Sequence, residues 1–278
     1  MYDDTKVSVL MSVYVNENQD HLRKAINSIL EKQTQKPDEF VLVCDGPLTE
    51  SLEAVIDSYY KQYQDKFKIV RMEENQGLGK ALCYGLSNCS NEIIIRADSD
   101  DICIPERIEI QVNYLEEHLE IAAVSSYVDE FDEDWNAPKN LKTLPLEPKQ
   151  LAKMVKFRNP LNHMAVAFRK SAVLDVGSYR HRPCIEDYDL WARLVAKGYR
   201  LANIDKVLVH ARVGNGMIER RSNKQYITSW RMLNKDMLSA KMINGAEYIR
   251  NMFAIRCFIY MPKGMKELLY KCVLRKES

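Results

Sequence analysis

Across the first 128 residues, short β-branched apolar runs alternate with segments whose apolar residues recur at helical spacing, and this alternation constrains the fold more than any other feature. "VSVLMSV" (7–13), "EFVLVCDG" (39–46), "FKIVRM" (67–72), "EIIIRAD" (92–98) and "AAVSSYV" (122–128) read as strands. Between them, "QDHLRKAINSILEKQ" (19–33) lines up Leu22, Ala25, Ile26, Ile29 and Leu30, and "SLEAVIDSYYKQY" (51–63) lines up Leu52, Val55, Ile56 and Tyr59. "NQGLGKALCYGLSNC" (75–89) enters a helix through glycines, and "PERIEIQVNYLEEHL" (105–119) starts one with proline. Such alternation predicts βαβ units and an α/β fold with a mostly parallel sheet. Ligands of such sheets bind beyond the carboxyl ends of the strands.

The second half is less regular. Residues 129–150 are polar and proline-punctuated and read as a long connection. In "CIEDYDLWARLVAKGYRLANI" (184–204), Leu190, Trp191, Leu194 and Val195 keep helical spacing, and Gly198 suits a helix end. "KVLVHARV" (206–213) reads as an edge strand, and the chain beyond Gly214 as helical and basic. From Val213 to Ser278 there are 13 Lys+Arg against 5 Asp+Glu, a net of +8; the preceding residues hold 27 against 34, a net of −7. An acidic body therefore carries a basic tail. The overall net charge of +1 gives no field that points to nucleic acid. The seven cysteines are scattered, with no C-x-x-C pair, which suits a reducing compartment better than a disulfide framework or a zinc site. The acidic N-terminus enters a strand pattern at once, unlike a signal peptide, and no apolar run is long enough to span a bilayer. These features predict a cytoplasmic protein.

Three predicted strand ends carry candidate chemistry: Ser12-Val13-Tyr14, Cys44-Asp45-Gly46 and Arg96-Ala97-Asp98-Ser99-Asp100. Hard divalent cations prefer carboxylate oxygens and bind substrate phosphates at the same time. Asp98-Ser99-Asp100 at the end of a buried strand fits such a cation; the ordinary alternative is a solvated acidic turn. A further acidic pair, Glu186-Asp187, opens a helix, where acids also complement the macrodipole.

Taken in order, "VSVLMSVYVNEN", "FVLVCDGPLTE", "NQGLGKALCYGL", "RADSDDICIPERI" and "CIEDYDLWARL" resemble the motifs of the family 2 glycosyltransferases, which have the GT-A fold. The resemblance covers residues 5–212 and is closest to members that build bacterial capsule, exopolysaccharide or O-antigen repeat units. It implies a GT-A catalytic domain over 1–212, with a nucleotide-sugar half over 1–128 and an acceptor half over 129–212, followed by a basic helical region over 213–278. It implies a nucleotide-sugar donor, UDP before other nucleotides, and a Mn²⁺ or Mg²⁺ cofactor. Ser12, Val13 and Tyr14 then hold the base, Asp45 accepts a base N–H, Asp98 contacts the ribose or sugar, and Asp100 ligates the metal. Asp187 becomes the base that deprotonates the acceptor hydroxyl, with Glu186 binding the acceptor beside it. In-line attack with one base implies inversion. Three departures stand out: Ser12 replaces a common proline, Cys44 replaces the first acid of a pair, and a Gln-x-x-Arg-Trp element is missing.

Other positions stay open between two readings. Lys80 meets a phosphate or is a solvated helix lysine. Asn162 and His163 line the sugar pocket on the acceptor side or are structural. His210 adds a metal ligand or is an ordinary strand histidine. Arg220 and Arg221, among flexible glycines, close on the diphosphate or mark a junction. The tail from Ala246 is an interfacial element at an anionic membrane, beside a polyprenyl-diphosphate-linked saccharide acceptor, or a helical appendage packed on the catalytic domain. The first option places the protein on the inner face of the cell membrane. Two other classes compete with this reading. A Mg²⁺-dependent sugar nucleotidyltransferase needs a glycine-rich basic loop after the first strand, and "SVYVNEN" is not one. A non-catalytic nucleotide-sugar binding module keeps the fold without turnover.

Overall fold

The computed structural model describes residues 5–213, 224–262, 264–266 and 276–277. Strands β1 (Val7–Val13), β2 (Glu39–Cys44), β3 (Phe67–Arg71) and β4 (Ile93–Ala97) are parallel, in the order β4-β1-β2-β3. Alternation along β1 sends Val7, Val9 and Met11 into one apolar layer and Leu10 into the other. Helices cover both faces, which is why these strands read as unbroken apolar runs.

Helix α1 (Gln19–Ile26) begins where Asn18 Oδ1 accepts the backbone N–H groups of Asp20 and His21, and α2 (Glu50–Gln62) begins at the Thr49 cap. Their buried Leu22, Ile26, Leu52, Val55 and Ile56 fill the first layer. Helix α3 (Leu78–Asn88) lies flush against the other face: a β-carbon on Gly85 would stand 2.5 Å from the Leu10 and Val43 side chains. Helix α4 (Arg107–Glu117) returns to the first layer.

The rest of the ten-stranded sheet consists of β5 (Ile102–Cys103), β6 (Ile121–Phe131), β7 (Asn140–Lys142), β8 (Ala167–Arg169), β9 (Arg200–Arg212) and β10 (Lys276–Glu277). β8 lies antiparallel between β4 and β6, and β6 runs parallel to β9. The predicted edge strand over 206–213 is thus the second half of a longer strand that pairs with β6 on one side and β5 on the other. Exposed Asp205 and Lys206, beside a register shift, made one strand look like two. The predicted connection over 129–150 is also partly regular. Asp129 and Glu130 continue β6, and their polarity disguised the strand.

Three shorter helices and two longer ones complete the second layer: α5 (Pro148–Met154), α6 (Lys170–Asp175), α7 (Glu186–Ala196), α8 (Lys224–Ser239) and α9 (Gly245–Tyr260). Leu233 and Met237 of α8 and Met252 and Ile255 of α9 join the cluster that holds Leu190 and Trp191 of α7. The described C-terminal helices therefore share the core of the body. Among the described residues, no helix is long and apolar enough to cross a membrane.

Candidate active site

Parallel pairing brings three strand ends together. Val13 stands opposite Cys44, and Met11 opposite Ala97, so Ser12-Val13-Tyr14, Asp45 and the acids after Ala97 leave the sheet along one edge. Val13 is buried, Ser12 is half-buried, and Tyr14 is exposed.

Asp98 is clasped by Arg96, whose Nη1 donates to Oδ2 at 2.6 Å and whose Nη2 donates to Oδ1. Arg96 is buried in β4, and its Nε has no partner among the described residues. Asp98, Asp100 and Asp101 offer carboxylate oxygens within 4.8 Å of one another. Burial, then the negative charges of Asp98 and Glu17, push the Asp100 carboxyl up to about 7. Burial, then Asp100 and Asp98, push Asp101 well above the usual carboxylate range. Asp101 Oδ1 also accepts the Arg212 backbone N–H at 2.8 Å, which ties the loop to the end of β9. Glu17 accepts the Ser99 hydroxyl at 2.6 Å and so anchors the same loop to the segment after β1. Asp100 and Asp101 crowd against Asp98, whose one close cation among the described residues is Arg96, and both resist ionisation. A hard divalent cation with oxygen preference supplies positive charge there, so the donor set fits Mn²⁺ or Mg²⁺.

Asp45 clamps the start of α3. Its Oδ1 accepts Gln76 N–H at 2.8 Å, its Oδ2 accepts Gly77 N–H at 3.0 Å, and its carbonyl accepts Asn75 Nδ2 at 3.2 Å. Gly46 makes this possible: its φ is +85°, and a β-carbon there would stand 2.6 Å from Asn75 N. Lys80, one turn on, is exposed and donates to Gln76 Oε1 at 3.1 Å.

The third acidic group opens α7. Asp187 Oδ2 accepts Asn159 Nδ2 at 2.5 Å, which leaves Oδ1 without a protein donor among the described residues. Glu186 is buried against α3: a β-carbon on Gly79 would lie 3.2 Å from Glu186 Cβ and 2.5 Å from the Arg180 carbonyl. Asp189, on the same helix, is fully buried and ion-paired to Arg182 at 3.3 Å and Arg193 at 2.9 Å, so its role is structural. Tyr179 joins the two acidic groups. Its buried hydroxyl resists ionisation chiefly through desolvation; Arg96 opposes this effect, while Asp187, Glu186 and Asp98 add to it. One hydroxyl thus sits in the field of the Arg96–Asp98 pair and of Glu186-Asp187.

Asn162 and His163 are placed behind this site. Asn162 is fully buried and donates to the Ser126 carbonyl at 2.8 Å, and its Oδ1 has no partner among the described residues. His163 Nε2 pairs with the Tyr179 hydroxyl at 3.1 Å, and burial, then Arg96, holds the ring well below its usual pKa, hence neutral. His210 Nδ1 pairs with Asp129 at 2.7 Å, its ring lies 5.5 Å from that of Trp135, and it is not part of the three-aspartate cluster. Arg220 and Arg221 lie outside the described residues. Sequence reasoning missed Asp101, Arg96, Glu17, Tyr179 and Asn159 as site residues. Asp101 follows Asp100 directly, and the one charged residue inside "IIIRA" was a visible clue; the other three contacts are long-range.

Comparison with known proteins agrees with this geometry. Residues 8–181 match the family model "Glycosyl transferase family 2". The amylovoran biosynthesis glycosyltransferase AmsE of Erwinia amylovora is 40% identical over 268 residues, covering 95% of this chain and 97% of that protein. The UDP-Gal:alpha-D-GlcNAc-diphosphoundecaprenol beta-1,3-galactosyltransferase of Escherichia coli is 35% identical over 278 residues, covering 99% of each. Among solved structures, S. aureus TarS 1–349 in complex with UDP-GlcNAc superposes with a TM-score of 0.67 at 17% identity, over 96% of this chain and 76% of that one, which shows a shared fold. The α/β architecture is that of a GT-A enzyme, and the chain belongs to glycosyltransferase family 2.

Proposed function

We propose that the protein moves a hexose from a UDP-sugar to a hydroxyl of a polyprenyl-diphosphate-linked saccharide, with inversion, in the assembly of a bacterial surface polysaccharide. The observation that carries this reading is the gathering of Asp98, Asp100 and Asp101 just past the end of β4, at the sheet edge where Ser12-Val13-Tyr14 and Asp45 also emerge. The E. coli relative, by its name, uses UDP-Gal and a diphosphoundecaprenol-linked sugar, and AmsE serves amylovoran biosynthesis.

Each residue then has a stated task. Ser12, Val13 and Tyr14 border the base, and Asp45 accepts a base N–H with lone pairs that Gln76 and Gly77 leave open. Asp98, oriented by Arg96, contacts the sugar or ribose. Asp98, Asp100 and Asp101 would hold a divalent cation, which would supply positive charge to the departing diphosphate. His210, with Nδ1 directed to Asp129, stands outside that cluster and has Nε2 as its remaining ligand atom. Lys80, Arg220 and Arg221 add cationic contacts to the phosphates. Asp187 takes the proton of the acceptor hydroxyl through Oδ1, while Asn159 fixes the other oxygen. Glu186 binds the acceptor, and Asn162 and His163 support that wall from behind. A β-linkage follows from an α-configured donor.

Residues 1–212 carry this chemistry. The region from 213 onward brings the enzyme to the inner face of the membrane. One face of α9 packs on the body through Met252 and Ile255, and the opposite face exposes Ile249, Phe253 and Tyr260 beside Arg256. That face suits an anionic lipid surface. Replacing Ile249 and Phe253 together by glutamate is expected to abolish sedimentation with anionic vesicles; retention of binding would remove α9 from membrane contact.

The central test is a panel of nucleotide sugars with a lipid-linked acceptor, with and without Mn²⁺, read by release of nucleoside diphosphate. Acceptor- and metal-dependent release of UDP is expected. Release of inorganic diphosphate from a nucleoside triphosphate and a sugar phosphate would instead identify a nucleotidyltransferase.

A further inference from the structure

A groove of about 430 Å³ opens between α8, α9 and the turn after α5, and the chemistry above does not use it. Its walls are Phe157, Trp230, Ala254, Ile255 and Phe258, with Arg250 as the charged member. Phe157 and Ala254 are exposed, so this apolar surface is open to solvent.

The groove shares its walls with the acceptor end of the active site. Phe157 lines it, and two residues on, within about 7 Å along the chain, Asn159 grips Asp187. Tyr188, next to Asp187, packs its ring edge-on to Trp230 at 5.5 Å and donates its hydroxyl to the Val155 carbonyl at 2.9 Å. Asn251 Nδ2 donates to the Lys156 carbonyl at 2.7 Å and holds α9 to the same turn.

Charge narrows the choice of occupant. The Arg250 guanidinium lies 5.8 Å from the centre of the Phe157 ring and donates to Asn251 Oδ1 at 3.1 Å, with no carboxylate in ion-pair range among the described residues. Arg158, between Phe157 and Asn159, is half-buried, and its guanidinium has no hydrogen-bond or ion-pair partner among the described residues. Burial alone pulls its pKa down. A half-buried cation without a counter-charge is costly, and an anion beside it offsets that cost. An apolar trough with exposed Arg250 in its wall, and with half-buried Arg158 adjoining Phe157 in the chain, therefore fits an apolar chain with an anionic head.

We propose that this groove binds the first isoprenoid units of the polyprenyl diphosphate acceptor, with Arg250 and Arg158 holding its diphosphate and its saccharide reaching Asp187. The identity of the amphiphile rests on the transfer reading above; the groove and its charges do not.

The experiment uses the full-length protein and the change in tryptophan fluorescence on titration with farnesyl diphosphate, farnesol or inorganic diphosphate. Farnesyl diphosphate is expected to bind about tenfold or more tightly than either fragment, since it alone offers both apolar burial and charge. Ala254→Trp, which fills an exposed part of the groove, is expected to weaken farnesyl diphosphate binding about tenfold. Arg250→Ala with Arg158→Ala is expected to erase the preference for farnesyl diphosphate over farnesol. UDP binding in Mn²⁺ checks that each variant is folded. Farnesyl diphosphate binding that is unchanged in Ala254→Trp overturns the proposal, as does a change of that variant from dimer to monomer in sedimentation with no effect on ligand, which would make the groove a face between two copies. If the wild-type protein binds UDP while the groove variants have no effect, the groove inference fails alone. If farnesyl diphosphate binds as expected but no nucleotide does, the groove stands and the transfer reading falls.

Discussion

The two acidic ends of the site, the proposed donor end after β4 and the proposed acceptor end at α7, are built in opposite ways. At the donor end, consecutive residues leave the tip of one buried strand, and backbone pairing in β1, β2 and β4 sets their positions. The price is electrostatic: Asp98, Asp100 and Asp101 crowd together, and two of them resist ionisation. At the proposed acceptor end, Asp187 sits at a helix start and is held by Asn159, 28 residues away, and among the described residues it belongs to no metal-binding cluster of acids. One end is a charge trap that suits a cation, and the other is a single oriented carboxylate, which on the proposed reading accepts a proton. A transferase needs both, because its leaving group carries negative charge while its nucleophile carries a proton.

The largest expected effect is at the acceptor end. Asp187→Asn should lower kcat by about 10³-fold while the affinity for UDP stays within about twofold. If turnover survives, the division between the two ends is wrong. The next effect belongs to the donor end. Asp100→Asn should weaken Mn²⁺ about 100-fold and also raise the melting temperature of the metal-free protein by about 2–4 °C, because repulsion is relieved. A mutation that stabilises the protein while removing metal affinity would separate a charge trap from an ordinary structural carboxylate.

The pH response should differ as well. Burial and the neighbouring acids push the folded-state carboxyl of Asp100 up to about 7, above its ordinary value of 3.8, so protonation stabilises the metal-free fold. That contribution is complete below the unfolded value and is lost as pH rises through 7. A bound cation replaces the proton. The rise in melting temperature on adding Mn²⁺ should therefore grow between pH 5 and pH 8, and binding should release at least about one proton per ion at pH 6, measured by calorimetry in buffers of different ionisation enthalpy. A flat response would place the metal elsewhere. The smallest effect tests orientation. Asn159→Ala should reduce kcat about tenfold with little change in donor KM, since Asn159 positions Asp187 without touching substrate.

Much of the donor end was legible because it is local. The run "IIIRADSDD" contains strand, salt-bridge partner and all three cluster acids within nine residues. Even there, Arg96 was read as part of a strand end and not as the partner of Asp98, since a strand pattern does not tell whether a residue two positions on folds back. The acceptor end was legible only as an acidic pair. Asn159 carries no pattern, and its link to Asp187 exists only after β6, α5 and α7 have packed. Asn162 and His163 were visible as polar residues in an apolar stretch, but their depth behind Tyr179 was not.

The residue order alone determined the α/β class, the parallel core, the strand ends where acids gather and the family, because each depends on periodicity or on motifs only a few residues long. Packing decided which of the three acids of α7 is buried in ion pairs and which meets solvent, that Tyr179 is buried against His163, and that α8 and α9 join the common core while leaving a groove near Asn159, the partner of Asp187. Those outcomes depend on contacts between residues tens of positions apart, and desolvation and orientation, which set their chemistry, have no value until the chain has closed around them.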